Sequence, residues 1–437
     1  MIDIRNSPPA DWIASIRTRF PTERTVDSAL TRKLEQRTYP SEDWTRERDI
    51  ATGLQDLISR HTQDPFTIRG LRPLSGGASK EQYVFELDWT CHGERRTGER
   101  MVLGRDPVES IVTTERTREF QLLNAVKSDI PVPPPYWEDG AGAHLGRPSI
   151  VCGFVEGVQK PPTGTSNVTG IGVQFDAEHR ATLGPQFIDY LARIHTLDVK
   201  GADLSSFDIP SAGTTEDIDR QINWWARVWE EDRLEAVPLM NLAEQWLRRN
   251  RKPLDFVSLV HGDYRTGNFL FNPVSKRITA ILDWELGFFG DRHFDLAWAT
   301  LPLFCTPDET GTQLCSSFYA RDDFLRNYER ASGMPIDEER FEYYRIFAHW
   351  RAIAMTLGAG LRAADGSKTH QDVVLAWFGG ISYPFLESLR QILENVHCVS
   401  SVNGQFEDEL VKDWISAPQN MNACNIAVNS VKRYENG

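Results

Sequence analysis

The sequence is short of the features that would commit it to several large protein classes. Its six cysteines, at 91, 152, 305, 315, 398 and 424, include no CxxC pair and no companion histidine ladder. Neither a disulfide scaffold nor a zinc module is encoded, and free, partly buried thiols are expected. No apolar run is long enough to span a bilayer, and the opening MIDIRNSPPADW has no apolar h-region; a cytoplasmic protein is expected. Basic residues are outnumbered, 48 Lys plus Arg against 62 Asp plus Glu, for a net charge of −14. That balance opposes wrapping around nucleic acid or lying on an anionic membrane, so neither is an expected partner. The excess of acid would suit a cationic substrate, though surface carboxylates ordinarily serve solubility. No internal repeat is evident.

What remains is ordinary globular material, 40% hydrophobic and 25% charged, enough to build a packed core. At roughly 150 residues per domain, 437 residues suggest about three folding units. Residues 1–65 read as an N-terminal helical extension, charged and loosely periodic from Ser15 to Ser59. From Phe66 the pattern becomes β-like: FTIRGLRPLSGGASKEQYVFELDWT, a turn-rich CHGERRTGE, then RMVLGRD. In SIVTTERTREFQLLNAVKS, Val112, Phe120, Leu123 and Val126 share a helical face, and DIPVPPPYW stops it. With RPSIVCGFVEG as a further strand, residues 66–157 read β-β-β-α-β. Residues 158–399 are mainly helical, and 400–437 form a polar, weakly patterned tail.

One stretch interrupts the helices: LDFVSLVHGDYRTGNFLFNPVSKRITAILDWELGFFGDRHFDLAWATL. VSLV, NFLF and RITAIL are strand-like, HGDYRTG is a polar loop and NPVSK a hairpin turn. A hairpin brings its outer ends together, which places Asp263 and Asn268 beside Asp283. A lone Asp in a loop is usually an Asx-turn or a cap. Two carboxylates and a carboxamide converging at a strand end are instead oxygen ligands suited to Mg2+, which keeps several waters and leans on substrate phosphates.

HGDYRTGN followed by ILDWE resembles the signature of the aminoglycoside phosphotransferase and choline kinase superfamily. The longer pattern LVHGDYRTGNFLF, AILDWELGFFGD and DLAW is similar to the bacterial branch related to kinase domains fused to acyl-CoA dehydrogenases. The resemblance spans about residues 66 to 390. It implies an α+β, two-lobed protein-kinase-like fold, with a small antiparallel β-sheet N-lobe and a larger, mainly helical C-lobe. The implied activity is phosphoryl transfer from ATP or GTP to a small-molecule hydroxyl, by a monomer or homodimer. Asp263 would accept or orient the hydroxyl proton, and Asn268 and Asp283 would hold Mg2+. His261, grouped with Asp263 in the catalytic loop, would shape that loop by hydrogen bonds rather than shuttle protons. Asp291 and Asp295 would brace the loop and cap the following helix, Asp295 also on local grounds. Glu285 receives no role.

In the nucleotide lobe, LSGGASKEQYVFEL resembles a phosphate-covering turn in which Gly76 and Gly77 permit positive φ and Ser79 faces phosphate. The third strand should end in a Lys or Arg that pairs with the nucleotide phosphates and a helix Glu. Gly104 stands at that position and Arg105 one place later, so a bulge would be needed to aim Arg105 inward. Lys80 is the second candidate cation. The helix partner is expected to be Glu119, with Glu115 one turn earlier. IVCGFVEG resembles the hinge, where backbone groups near Gly153 and Val155 would hold adenine. Trp225, Arg227 and Arg351 lie on helices that face the acceptor pocket in this branch; an arginine pair would suit an anionic acceptor. The acceptor class stays open between a hydroxy acid, a hydroxyacyl thioester, a sugar and an antibiotic. The missing strand-three cation leaves a nucleotide-binding pseudokinase or regulatory module as the competing expectation. A protein kinase fits less well, because DWELGFFGD carries no DFG or APE signature.

Overall fold

A computed structural model describes residues 3–39, 49–74, 79–91, 93–161, 171–365 and 371–402. The chain divides into two compact units, Met1–Leu389 and Arg390–Gly437. Gly76, Gly77 and most of the 400–437 tail lie outside the described residues.

The extension forms α1 (Ala10–Arg19), α2 (Arg24–Thr38) and α3 (Ile50–His61). Helix α3 is capped by Asp49, whose side chain accepts from the Ala51 amide. At twelve residues it is too short to stand alone in water. It is held by Leu54, Leu57 and Ile58, all wholly or almost wholly buried, at about 1.5–3 kcal/mol for each side chain removed from water.

The surface α3 covers is a five-stranded antiparallel sheet, ordered β1-β2-β3-β5-β4. Its strands are β1 (Thr67–Pro73), β2 (Glu81–Cys91), β3 (Glu94–Arg105), β4 (Pro135–Asp139) and β5 (Ser149–Gly153). Phe85, Leu87, Met101, Leu103 and Val151 form one core with α3. Two expectations change here. Most of CHGERRTGE is strand, since β2 and β3 stay paired out to Cys91 and Glu94. PYWED is also a strand, because Trp137 and its neighbours pair with β5; the preceding prolines hid it. Helix α4 (Arg116–Val126) follows β3 and starts later than its apolar periodicity suggested.

The helical remainder contains α5 (Ala177–Thr196), α6 (Glu216–Asp232) and α7 (Pro238–Arg249). Asp176 caps α5, and three carboxylates in the first turn of α6 complement its dipole. Two short antiparallel pairs follow. Strand β6 (Ser258–Val260) pairs with β9 (Phe288–Gly290), and β7 (Phe269–Phe271) pairs with β8 (Ile278–Ile281). The β7–β8 turn is an Asx arrangement, with the Asn272 side chain accepting from the Val274 and Ser275 amides at 2.9 Å each. Then come α8 (His293–Ala299), the small hairpin β10 (Thr306–Pro307) and β11 (Gln313–Leu314), α9 (Arg321–Ser332) and α10 (Glu338–Ile353). Helix α10 runs through a π-helical segment, Ala354–Gly360, into α11 (Leu361–Asp365); α12 covers Asp372–Val402. No described helix is long and apolar enough to cross a membrane.

The extension is fastened by charge. Arg37 binds Glu109, which follows β3, and Asp232 at the end of α6. Lys33 meets Glu231 and Asp232 at 2.8 Å each, and Glu23 receives Arg118 of α4. Helix α2 thereby ties α4 to α6.

Candidate active site

The catalytic-loop candidate, residues 261–268, leaves β6 and enters β7, while the segment after β8 returns beside it. Leu282 N–H donates to Asn268 O at 2.8 Å, which closes the two ends. Gly262 makes the turn possible. Its φ is 83°, and a Cβ there would stand 2.3 Å from Leu286 O. Gly262→Ala should therefore lower stability by more than the ~1–3 kcal/mol of a strained backbone alone; a urea midpoint measures it.

The Asp263 carboxylate is held from three sides. Oδ1 accepts from Trp298 Nε1 at 2.6 Å and Arg265 Nε at 2.9 Å, and Oδ2 accepts from Asn268 Nδ2 at 2.6 Å. Asn268 Nδ2 also donates to Asp263 O at 2.9 Å. Both amide hydrogens are thus spent on Asp263, which leaves Asn268 Oδ1 as an acceptor for a cation. Trp298, in the DLAW stretch, was not singled out by sequence. Its position one helical turn after Asp295 was the available clue.

His261 spends both ring nitrogens on the backbone around it. Its Nε2 donates to Leu282 O at 2.9 Å, and its Nδ1 accepts from Asp263 N–H at 3.2 Å. Burial holds its pKa below the ordinary value, so the ring is a neutral brace between the loop and the segment bearing Asp283. Asp295 is not the N-cap of α8. It lies inside the first turn and accepts from His261 N–H at 2.7 Å, Gly262 N–H at 2.9 Å and His195 Nε2 at 3.1 Å. Burial works to raise this carboxyl, and the contacts with His195 and His261 together outweigh it to hold the pKa low. Asp291 serves the helix start, accepting from the His293 amide at 2.9 Å, and also binds Arg340 at 3.0 Å.

Asp283 adopts the left-handed conformation, φ 63° and ψ 53°, uncommon for a non-glycine residue and typical of functional turns. Its side chain keeps 40% of its surface open, yet the protein packed around it pushes the carboxyl up to about 6, helped by Glu285 and Asp263 and opposed by Lys80. A bound cation reverses such a shift. Among the described residues no cluster of three His, Cys, Asp or Glu side chains forms a metal cage. One carboxylate and one amide oxygen fit Mg2+, which takes its other ligands from water and substrate phosphate.

The choice between Lys80 and Arg105 is decided by register. Strands β2 and β3 pair without interruption from Leu87↔Glu99 to Glu81↔Arg105, so no bulge turns Arg105 inward. By strand alternation it shares a face with Leu103 and Met101. There its guanidinium binds Glu81 at 2.6 Å, alongside Arg147. The expectation that Arg105 meets the nucleotide is corrected. Lys80 points to the other face, with Nζ 2.8 Å from Glu119, 3.5 Å from Glu285 and 3.8 Å from Asp283. A Cβ on Gly104 would lie 3.5 Å from Lys80 Cδ, so the stem of Lys80 runs across the space a strand-three side chain would use. Although burial works against its charge, Glu119 and Glu285 raise its pKa.

Arg116, missed by sequence reading although it stands one turn before Glu119, binds Glu119 at 2.6 Å, Glu285 at 2.8 Å and Asp106 at 2.6 Å. Glu285 thereby acquires a place. Burial would raise its pKa, but Lys80 and Arg116 hold it at about 2. Glu115 turns elsewhere, to Arg32 of α2.

At the hinge, Gly153 N–H is spent on Pro134 O and Phe154 N–H on Arg100 O. Among the described residues Val155 N–H has no such partner. The three acceptor candidates are all buried, at 1%, 0% and 1% for Trp225, Arg227 and Arg351. Arg227 turns away from the loop to Glu231, Asp27 and Thr31, which removes it from an acceptor pocket. Arg351 donates to Gly262 O at 2.7 Å and is stacked among Trp225, Phe294 and Trp298. Trp225 and Arg351 support the loop from beneath.

A small sheet and its helix α4 that set a lysine against a glutamate, with a helical body whose loop presents Asp and Asn beside a second Asp, define a two-lobed, kinase-like phosphotransferase. The chain belongs to the phosphotransferase enzyme family, whose model matches residues 70–344. It is 24% identical over 327 residues to mouse acyl-CoA dehydrogenase family member 10, covering 72% of this chain and 28% of that protein. It is 27% identical over 309 residues to the probable acyl-CoA dehydrogenase IBR3 of Arabidopsis thaliana, covering 67% and 36%. The chain thus spans about a third of the length of these relatives. A solved structure of a candidate aminoglycoside phosphotransferase from Ralstonia eutropha shares the fold, with a TM-score of 0.57, 21% identity and coverage of 80% of this chain and 99% of that one.

Proposed function

We propose that this protein is a Mg2+-dependent small-molecule kinase that moves the γ-phosphoryl group of ATP or GTP to an acceptor hydroxyl. The observation that carries the proposal is the Asp263 carboxylate, oriented by Trp298, Arg265 and Asn268 and near enough to Asp283 for its charge to be felt there, with Asp283 in turn 3.8 Å from the Lys80 that pairs with Glu119. Asp263 would take or orient the hydroxyl proton for in-line attack. Asn268 Oδ1 and the Asp283 carboxylate would hold Mg2+. When bound, the ion would neutralise charge developing on the phosphates. Lys80, fixed by Glu119, would pair with the nucleotide phosphates, with Ser79, Gly76 and Gly77 in the covering turn. Val155 N–H would take adenine. Lys80 filling the space above Gly104 supports a working kinase over a pseudokinase or regulatory module. The acceptor would be a hydroxy acid, a hydroxyacyl thioester, a sugar or an antibiotic. A cytoplasmic monomer or homodimer completes the proposal.

The test is thermal stabilisation by ATP and by GTP, each with and without Mg2+, followed by labelled phosphoryl transfer across those acceptor classes. Stabilisation that requires Mg2+, together with transfer to one class, is the expected result. Absence of both ends the proposal, and Mg2+-nucleotide stabilisation without transfer to any acceptor favours the module.

A further inference from the structure

The hairpin β10–β11 carries a pair of sulfurs that phosphoryl transfer does not use. Thr306 faces Leu314 and Pro307 faces Gln313, so one step outward Cys305 stands opposite Cys315. Residues directly opposed across antiparallel strands have Cα atoms about 4.5–5.5 Å apart, within the span a disulfide bridges. Their Sγ atoms are 4.0 Å apart and both thiols are free. Cys305 is half-buried and Cys315 is 4% exposed, so a small oxidant meets Cys305 first.

Each cysteine adjoins a residue that supports the catalytic loop. Before Cys305, the Phe304 ring lies 5.7 Å from that of Trp298 and 5.0 Å from the Arg265 guanidinium. Trp298 and Arg265 are two of the donors to Asp263. After Cys315, Ser316 O accepts from the Thr266 hydroxyl, and Ser316 Oγ donates to Ala299 O at 2.8 Å. Ser316 and Ser317 both hold positive φ, 45° and 63°, a conformation that persists only where the surroundings enforce it.

We propose that Cys305 and Cys315 are an oxidisable dithiol, closed by a peroxide into a disulfide that loosens the catalytic loop. The Cys305 thiolate attacks a peroxide oxygen, the O–O bond breaks, and a sulfenic acid forms while hydroxide leaves and takes up a proton as water. The Cys315 sulfur then attacks the sulfenic sulfur; the S–S bond forms, the S–O bond breaks, and a second water departs with the Cys315 proton. The two sulfurs lose two electrons and the peroxide gains them. The Cys315 hydrogen bond outweighs burial in holding the Cys305 thiol below its ordinary pKa, which favours attack by Cys305. Closure draws the sulfurs from 4.0 Å to about 2.05 Å and pulls Phe304 and Ser316 together, shifting the supports of Arg265 and Thr266. A reducing compartment reopens such a pair.

The full chain is treated with hydrogen peroxide, then divided for reduction with dithiothreitol. Cleavage after Glu309 separates the two cysteines, so the expected product is two fragments joined only through Cys305 and Cys315. Amide hydrogen exchange over residues 262–268 should quicken on the order of tenfold and return on reduction. Cys305→Ser and, separately, Cys315→Ala should abolish both effects while keeping the reduced exchange pattern. Peroxide-treated protein without the joined fragments overturns the proposal, as does a bond to another cysteine or unchanged exchange in 262–268. None of these measurements needs an acceptor, so they stand apart from the proposed phosphoryl transfer.

Discussion

Asp263→Ala is expected to lower kcat for phosphoryl transfer about a thousandfold, in the middle of the range for removing a positioned acid or base, while the KM for nucleotide changes only a few-fold. The split follows from geometry. Asp263 sits on the loop between β6 and β7, whereas the groups assigned to the nucleotide are Lys80, Val155 and, through the cation, Asn268 and Asp283. The alanine variant strands the Trp298, Arg265 and Asn268 donors that now converge on the carboxylate, at a cost of about 1–3 kcal/mol for each one left buried and unpaired. Asp263→Asn keeps the shape and a hydrogen-bonding group, and should show the same loss of kcat with less loss of stability. Steady-state kinetics on both variants, with a urea midpoint for each, separates chemistry from folding. Wild-type turnover in either folded variant removes Asp263 from the role.

Lys80→Ala should reduce kcat/KM for the nucleotide roughly a hundredfold or more, the scale for losing a preorganised charge from a closed site. Its removal leaves Glu119 and Glu285 sharing Arg116, with the Asp283 carboxylate beside them. The informative comparison is with the double variant Lys80→Ala, Gly104→Lys. A Cβ at 104 would sit 3.5 Å from Lys80 Cδ and 3.5 Å from Ile150 Cγ2, so a lysine grown from β3 enters the volume that Lys80 vacates and reaches the same glutamate. Partial recovery, on the order of tenfold over the single variant, is the expected result. Arg105→Ala should leave nucleotide kinetics near wild type, since its guanidinium serves Glu81 on the opposite face. Full activity of Lys80→Ala, or a strong kinetic defect in folded Arg105→Ala, would reverse the assignment.

The loop carrying Asp263 and Asn268 was legible in the sequence because its geometry is local. A polar loop, a hairpin and an Asp at the far strand end need only neighbouring residues to converge. The lobes were legible for the same reason, from strand alternation before residue 157 and helical periodicity after it. PYWED was not, because prolines obscured a strand that exists through pairing with β5.

The amino-acid order by itself therefore determined that two carboxylates and a carboxamide converge, because the loop and hairpin that join them are local. Only the tertiary structure decided which cation stands beside Glu119 and Asp283. Arg105 and Lys80 are equivalent as residues, and β2–β3 register alone sends one to each face. It likewise decided that Arg227 of α6 binds the helical extension and that Arg351 and Trp298 support the loop. Those partners are distant in the chain, and a side chain's charge says nothing of which opposite charge the fold will bring within reach.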